Sequence, residues 1–200
     1  ESLRPRWPSL QFMIAIVGYG IGNLNSIRNM LNKIGVESSI ASSAAEVRRA
    51  RKLIMPGIGA FDAGMSRLIE SGLIPALTEK VMSEKTPVLG ICLGMQLMTR
   101  GSEEGRLPGL GWMGATPRRF DRASDPTLKI PHMGWNAAMP VKQSRLLRNC
   151  PEEPRFYFVH SYAVQCDREQ DVLGRCDYGG IAFHAVCAHG KVAGAQFHPE

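Results

Sequence analysis

Between residues 13 and 100, short apolar runs alternate with stretches whose apolar residues recur at helical spacing, and few folds accept that pattern. Residues 13–18, 36–40, 53–55 and 87–91 read as buried strands. Residues 23–34 carry Leu24, Ile27, Met30, Leu31 and Ile34 on one helical stripe, with Gly35 as a stop signal. Residues 43–51 open on Ser43 and Glu46, the spacing of a capping box. Pro56-Gly57-Ile58-Gly59 follows the third strand, and the next helical stretch is interrupted by Gly72 and Pro75. Four strands alternating with helices predict an α/β fold, with an open, mostly parallel central sheet flanked by helices. After Gly101 the runs at 111–120, 155–159, 182–186 and 192–197 are short and β-rich. They predict strands and hairpins that complete the sheet and add a smaller antiparallel β flank.

The fourth strand runs into Gly90-Ile91-Cys92-Leu93-Gly94-Met95-Gln96, and residues 93–100 are rich in helix formers. Flanking glycines let a strand turn sharply into a helix. A nucleophile on such an elbow projects from the sheet edge beside the unpaired N–H groups of the first helical turn. The chain also carries His198-Pro199-Glu200. Proline biases His198 towards extended backbone, where side chains two apart share a side. Glu200 is then placed to orient the imidazole, and His198 to take the proton of Cys92, a triad with sulfur as nucleophile. By itself His-Pro-Glu reads as a surface turn; the elbow cysteine changes that reading. The Pro56–Gly59 turn also follows a strand, at the edge where ligands of open α/β sheets bind. Its backbone at Ile58, with the N–H of Leu93, makes a candidate oxyanion hole.

Two hundred residues suit one sizeable core, so residues 13–200 are expected to form a single domain. Residues 1–12 hold Pro5 and Pro8 with no periodic pattern, and are expected to be a leader or flexible extension. The five cysteines are odd in number and form no C-x-x-C pair, which favours reduced thiols and a cytoplasmic location. Basic clusters at 48–52 and 118–122 lack interleaved aromatics, so they read as solvated surface or a docking face for anionic groups, not a nucleic-acid site. No apolar run is long enough for a membrane helix. Gly18-Tyr19-Gly20-Ile21-Gly22 lacks the order of a dinucleotide fingerprint. Cys187 and His189 share strand parity with His184 nearby, too few ligands for a zinc site.

Taken together, Gly-x-Cys-x-Gly-x-Gln, Pro-Gly-x-Gly and the late His-Pro-Glu resemble the class I glutamine amidotransferases. The segments 18–24, 131–136 and 158–162 are similar to the HisH-type glutaminase subunits of imidazole glycerol phosphate synthase, and the likeness spans 13–200. The resemblance implies a Cys92, His198, Glu200 triad that hydrolyses glutamine through a γ-glutamyl thioester. It implies Gly57, Gly59, Gln96, Glu104, Ser161 and Tyr162 as glutamine-binding positions. It further implies transfer of ammonia to a (β/α)₈ cyclase subunit of the HisF type, forming a heterodimer and acting on the nucleotide PRFAR to give imidazole glycerol phosphate and AICAR. Asn23, Met133, Trp135 and Asn136 would face that partner, and neither cofactor nor metal is implied. A glutaminase subunit of another synthase is the alternative; residues 131–136 argue against it. Members of the family usually continue past His-Pro-Glu with a stretch that packs on the domain, implying added support for His198.

Overall fold

The computed structural model describes residues 14–122 and 126–200. The expectations for residues 1–12 and for Met13 lie outside the described residues. The main sheet has eight strands in the order β2-β1-β3-β4-β12-β11-β10-β7. Its parallel part is β1 (Ile14–Val17), β2 (Ser38–Ala41), β3 (Lys52–Gly57), β4 (Val88–Cys92) and β12 (Val192–Ala195). The antiparallel flank is β11 (Ile181–His189), β10 (Val172–Tyr178) and β7 (Met139–Pro140). Two ribbons stand apart, β5 (Ala115–Arg119) with β9 (Tyr162–Cys166), and β6 (His132–Ala137) with β8 (Arg155–His160).

Strand alternation sorts the core onto two faces. Ala15, Val17, Leu53 and Met55 pack with α2 (Ala44–Arg49), α3 (Phe61–Glu70), α4 (Ile74–Thr78) and α5 (Leu93–Leu97). Ile16, Ile54 and Ile91 pack on the other face against Ile27 and Leu31 of α1 (Leu24–Lys33). A third, aromatic core of Phe120, Phe158, Phe183 and Phe197 joins the ribbons to the antiparallel flank. Local signals act as expected at two ends. Ser43 and Glu46 form the reciprocal capping box of α2, and Gly35, at φ +72°, follows the end of α1 with its N–H on Asn32 O.

The structure departs from the sequence pattern in three places. The helix expected over 93–100 stops at Leu97. The Arg100 N–H goes to Ala115 O instead of back to Gln96 O, and the carbonyls of Leu97, Met98 and Thr99 are taken by the N–H groups of Leu110, Trp112 and Gly111, so the residues after Leu97 are tied to neighbouring segments. Strands β6, β7, β9 and β10 were not evident in the sequence. Gly134 interrupts the alternation in β6, and register shifts around Gly174 do so in β10. Finally, β12 returns from the flank to become the fifth parallel strand, beside β4. Among the described residues, no helix is long and apolar enough to cross a membrane.

Candidate active site

Three adjacent parallel strands bring the site together. Gly57, the last residue of β3, lies beside Cys92, the last of β4, and Ala195 of β12 lies beside Ile91. The segments leaving these strands therefore emerge at one edge of the sheet. Cys92 has φ +53° and ψ −116°, a conformation a non-glycine residue adopts only under constraint, at a cost of about 1–3 kcal/mol. Close packing supplies the constraint. A Cβ on Gly94 would lie 1.8 Å from Met55 O, and one on Gly90 would lie 2.6 Å from Met95 N. The two glycines flanking the cysteine are needed because α5 turns directly against β3 and β4.

Cys92, Leu93, Gln96, Ile58, Gly59, Glu104, Ser161, Tyr162 and His198 line one cavity of about 350 Å³, together with Pro131, Val159 and His160. A larger hollow of about 660 Å³, formed by residues 140–149, holds none of these groups. Gly57 is not on the cavity wall. It is buried in the β3 end, where an added Cβ would lie 2.7 Å from Gly94 N, so the structure gives it a packing role where contact with glutamine was expected. Glu104 accepts the Phe61 N–H at 2.9 Å, supplying the N-terminal cap that the Ala60 side chain lacks. Gln96 donates to Tyr162 O at 3.0 Å and to Gln196 Oε1 at 3.1 Å, which leaves its own Oε1 for the cavity.

His198 is strapped in place by its N–H on Tyr157 O at 2.9 Å, while Phe197 stacks on Phe156 with ring centres 3.8 Å apart. Its Nδ1 meets Glu200 Oε1 at 3.0 Å. Nε2 is buried and makes no hydrogen bond of good geometry among the described residues. The sulfur of Cys92 nonetheless dominates its surroundings. The imidazole is pushed up to about 10, first by Cys92 and then by Glu200, against the opposing effect of burial. Loose contacts of this kind tighten when substrate fills the site. Burial opposes ionisation of Glu200, yet its hydrogen bond to His198 keeps its carboxyl below the usual range.

Sequence reasoning missed four contributors. Gln196, fully buried, donates to Cys92 Sγ at 3.8 Å. Its signal was a lone polar side chain within the apolar run 192–197. Tyr19, read as part of a plain loop, is buried with its hydroxyl on Pro56 O, and burial followed by the proximity of Cys92 raises its pKa. His132 and His160 form a buried pair, Nδ1 to Nε2, at 3.1 Å. His160 Nδ1 lies 3.0 Å from Tyr162 O, an atom that only accepts, so His160 donates there and receives the Nδ1 proton of His132. His132 Nε2 then accepts from Asn136 Nδ2 at 3.3 Å.

The residues expected at a partner surface divide. Met133 and Trp135 are 61% and 66% exposed on one face of β6, and Asn23 is exposed ahead of α1. Asn136 turns inward, because strand alternation puts it with His132, and its amide also donates to Asp177 O at 2.8 Å. His189 is likewise drawn away from Cys187, to Asp171 and Arg168.

Residues 15–200 match the family described as glutamine amidotransferase class-I. The chain is 46% identical over 188 residues to the imidazole glycerol phosphate synthase subunit HisH 2 of Pseudomonas aeruginosa, covering 94% of this chain and 92% of that one. It is 47% identical to the subunit of the same name from Methanococcus maripaludis, with the same coverage. It is 41% identical to the HisH subunit of Leptospira interrogans, over 94% of this chain and 92% of that one. Among solved structures, PurLQS from Thermotoga maritima superposes with a TM-score of 0.68 at 18% identity, covering 94% of this chain and 87% of that one. The glutaminase domain of Trypanosoma brucei CTPS superposes with a TM-score of 0.60 at 15% identity, covering 94% and 86%. At those identities the likeness speaks for the fold.

Proposed function

Because the chain belongs to the class-I glutamine amidotransferase family, we propose that it is the glutaminase subunit of an imidazole glycerol phosphate synthase. The observation that carries this reading is the meeting of Cys92 and His198 on one cavity, at the ends of neighbouring parallel strands. Near-full-length likeness to HisH subunits supports the choice of synthase.

Glutamine enters with its side-chain amide at Cys92. The sulfur attacks the amide carbon, and negative charge develops on the carbonyl oxygen. The N–H groups of Leu93 and Ile58 receive that charge. His198 Nε2 takes the thiol proton and passes it to the leaving nitrogen, so ammonia departs and a thioester remains. Glu200 holds the imidazole by Nδ1 and stabilises its protonated form. Water, deprotonated by the same nitrogen, then attacks the thioester and releases glutamate and the free thiol. Gly59, Gln96, Glu104, Ser161 and Tyr162 hold the substrate's ammonium, carboxylate and amide. The oxyanion loop is set by the partner and its nucleotide, because Gly59 at φ +90° with open space around it makes a change of peptide orientation inexpensive.

Ammonia passes to a (β/α)₈ cyclase subunit of the HisF type, which converts PRFAR to imidazole glycerol phosphate and AICAR. Exposed Trp135 and Met133 suit that docking face, a large amphipathic ring beside a flexible apolar side chain. The free thiols suit a reducing cytoplasm. The test is synthesis by the assembled complex of the Cys92→Ala variant. Glutamine-dependent synthesis should vanish while ammonia-dependent synthesis persists. Loss of both in an intact complex, or failure to bind a HisF-type cyclase at all, overturns the assignment.

A further inference from the structure

Cys166 ends β9 and Cys187 lies in β11, so their side chains meet between a ribbon and the main sheet. The two sulfurs are 2.9 Å apart and share a hydrogen bond. Cys187 is fully buried, whereas Cys166 is half-buried and within reach of a small solute. His184 is the third member of the cluster, and its Nδ1 accepts the backbone N–H of Cys166 at 3.0 Å. We propose that Cys166 and Cys187 are an oxidisable dithiol that a hydroperoxide converts to a disulfide, with Cys166 as the attacking and Cys187 as the resolving thiol.

Three features favour this over a metal site. The Cys166 N–H occupies the His184 Nδ1 lone pair, so the neutral ring keeps its proton on Nε2 and offers no lone pair to an ion. Two thiolates on one tetrahedral zinc, with bonds of about 2.3 Å, hold their sulfurs roughly 3.8 Å apart. These sulfurs are already closer, at 2.9 Å. A disulfide needs about 2.0 Å, a movement of less than roughly 1 Å. The two thiols are also unequal. Cys166 is the more exposed, so a solute meets it first, and its contact with Cys187, with help from His184, holds it below the ordinary thiol range against burial. Cys187 is held above that range by the same contact and by burial.

The chemistry balances in two steps. The Cys166 thiolate attacks the terminal oxygen of a hydroperoxide ROOH. The O–O bond breaks, sulfur is oxidised to sulfenic acid, and the alkoxide RO⁻ leaves and takes up, through solvent, the proton released when Cys166 ionised, giving ROH. The Cys187 thiol then attacks the Cys166 sulfur and the S–OH bond breaks. Hydroxide leaves with the Cys187 proton as water, giving the disulfide. The product joins β9, which begins at the cavity residue Tyr162, to β11, the strand next to β12.

The experiment treats the full chain in the Cys92→Ala background with equimolar hydrogen peroxide, followed by intact-mass and peptide analysis. A loss of two hydrogens with a Cys166–Cys187 cross-linked peptide is expected, together with a rise of several degrees in melting temperature that a reductant reverses. Cys187→Ser should accumulate a dimedone-reactive sulfenic acid at Cys166, and Cys166→Ser should give none at Cys187. Oxidation at Cys150 or Cys176 with the 166–187 pair still reduced overturns the proposal. So does stoichiometric zinc in the purified protein that either serine variant loses. Dimedone labelling of the parent chain during the first seconds of oxidation tests the order of attack even where a serine variant folds poorly.

Discussion

Replacing His160 with glutamine tests the buried imidazole pair beneath the glutamine cavity. His160 is 6% exposed and His132 is 2% exposed, packed among Phe120, Phe158, Tyr178 and Phe183. Burial is the leading cause that pushes His160 down to about 3, from an ordinary value of 6.5. Above pH 6.5 the ring is neutral folded and unfolded, so its contribution to stability is fully present. As pH falls, the unfolded chain takes up a proton that the folded chain refuses, and stability drops by about 1.4 kcal/mol per pH unit. At pH 5 the unfolded ring has gained about 1.5 units of protonation free energy, so His160 costs about 2 kcal/mol there. The ceiling, reached as pH falls through the folded value, is about 5 kcal/mol. For a chain of this size, 2 kcal/mol corresponds to a fall of roughly 4–8 °C in melting temperature between pH 7 and pH 5. Glutamine donates to Tyr162 O and accepts from His132 as the imidazole does, but does not titrate. In His160→Gln the acid slope of unfolding free energy should therefore be shallower by about one proton, whatever happens to stability at pH 7. His132, pushed down to about 4 by burial, supplies the slope that remains. Equal slopes in the parent and the variant would refute the reasoning.

Four further substitutions address the site and its scaffold. Glu200→Gln removes the anion at 3.0 Å from His198 Nδ1; glutaminase kcat in the complex should fall by roughly 1.5–3 kcal/mol, about 10- to 150-fold, typical of a charged hydrogen bond. His198 is raised in the fold, so its stabilising contribution is full below pH 6.5 and lost as pH rises through about 10; in Glu200→Gln this alkaline loss should be smaller and complete at lower pH in a denaturation series. Gln196→Leu deletes the donor to Cys92 Sγ and the acceptor for Gln96, and should lower kcat about 10-fold with ammonia-dependent synthesis unchanged, the roughly 1–1.5 kcal/mol of the one bond that reaches the nucleophile. Gly94→Ala puts a Cβ 1.8 Å from Met55 O and should cost at least about 3 kcal/mol. Gly72→Ala, at φ +67° with nothing within 4 Å, should cost only about 1–2 kcal/mol in the same melting assay.

Local physics was written in the chain and could be read there. The capping box at Ser43, the stop at Gly35 and the two-residue spacing of His198 and Glu200 each depend on conformations that neighbouring residues set for themselves, and the flanking glycines marked the elbow at Cys92, whose backbone is then held by packing against β3. Hydrophobic period in the first half likewise marked the parallel sheet, because buried strands and amphipathic helices leave different spacings. What tertiary structure alone decided was which distant groups became neighbours. The return of β12 to the side of β4 puts the imidazole at the edge where the sulfur emerges, and strand order is not encoded in any local pattern. The hydrogen bonds that end α5 at Leu97 come from residues 110–112. The inward turn of Asn136 depends on which face of β6 meets His160. The hold of Gln196 on Cys92 spans 104 positions of chain. Non-local contacts form only once backbones from separate elements are packed together, so short glycine-broken strands and lone polar side chains acquire their meaning from the assembled core.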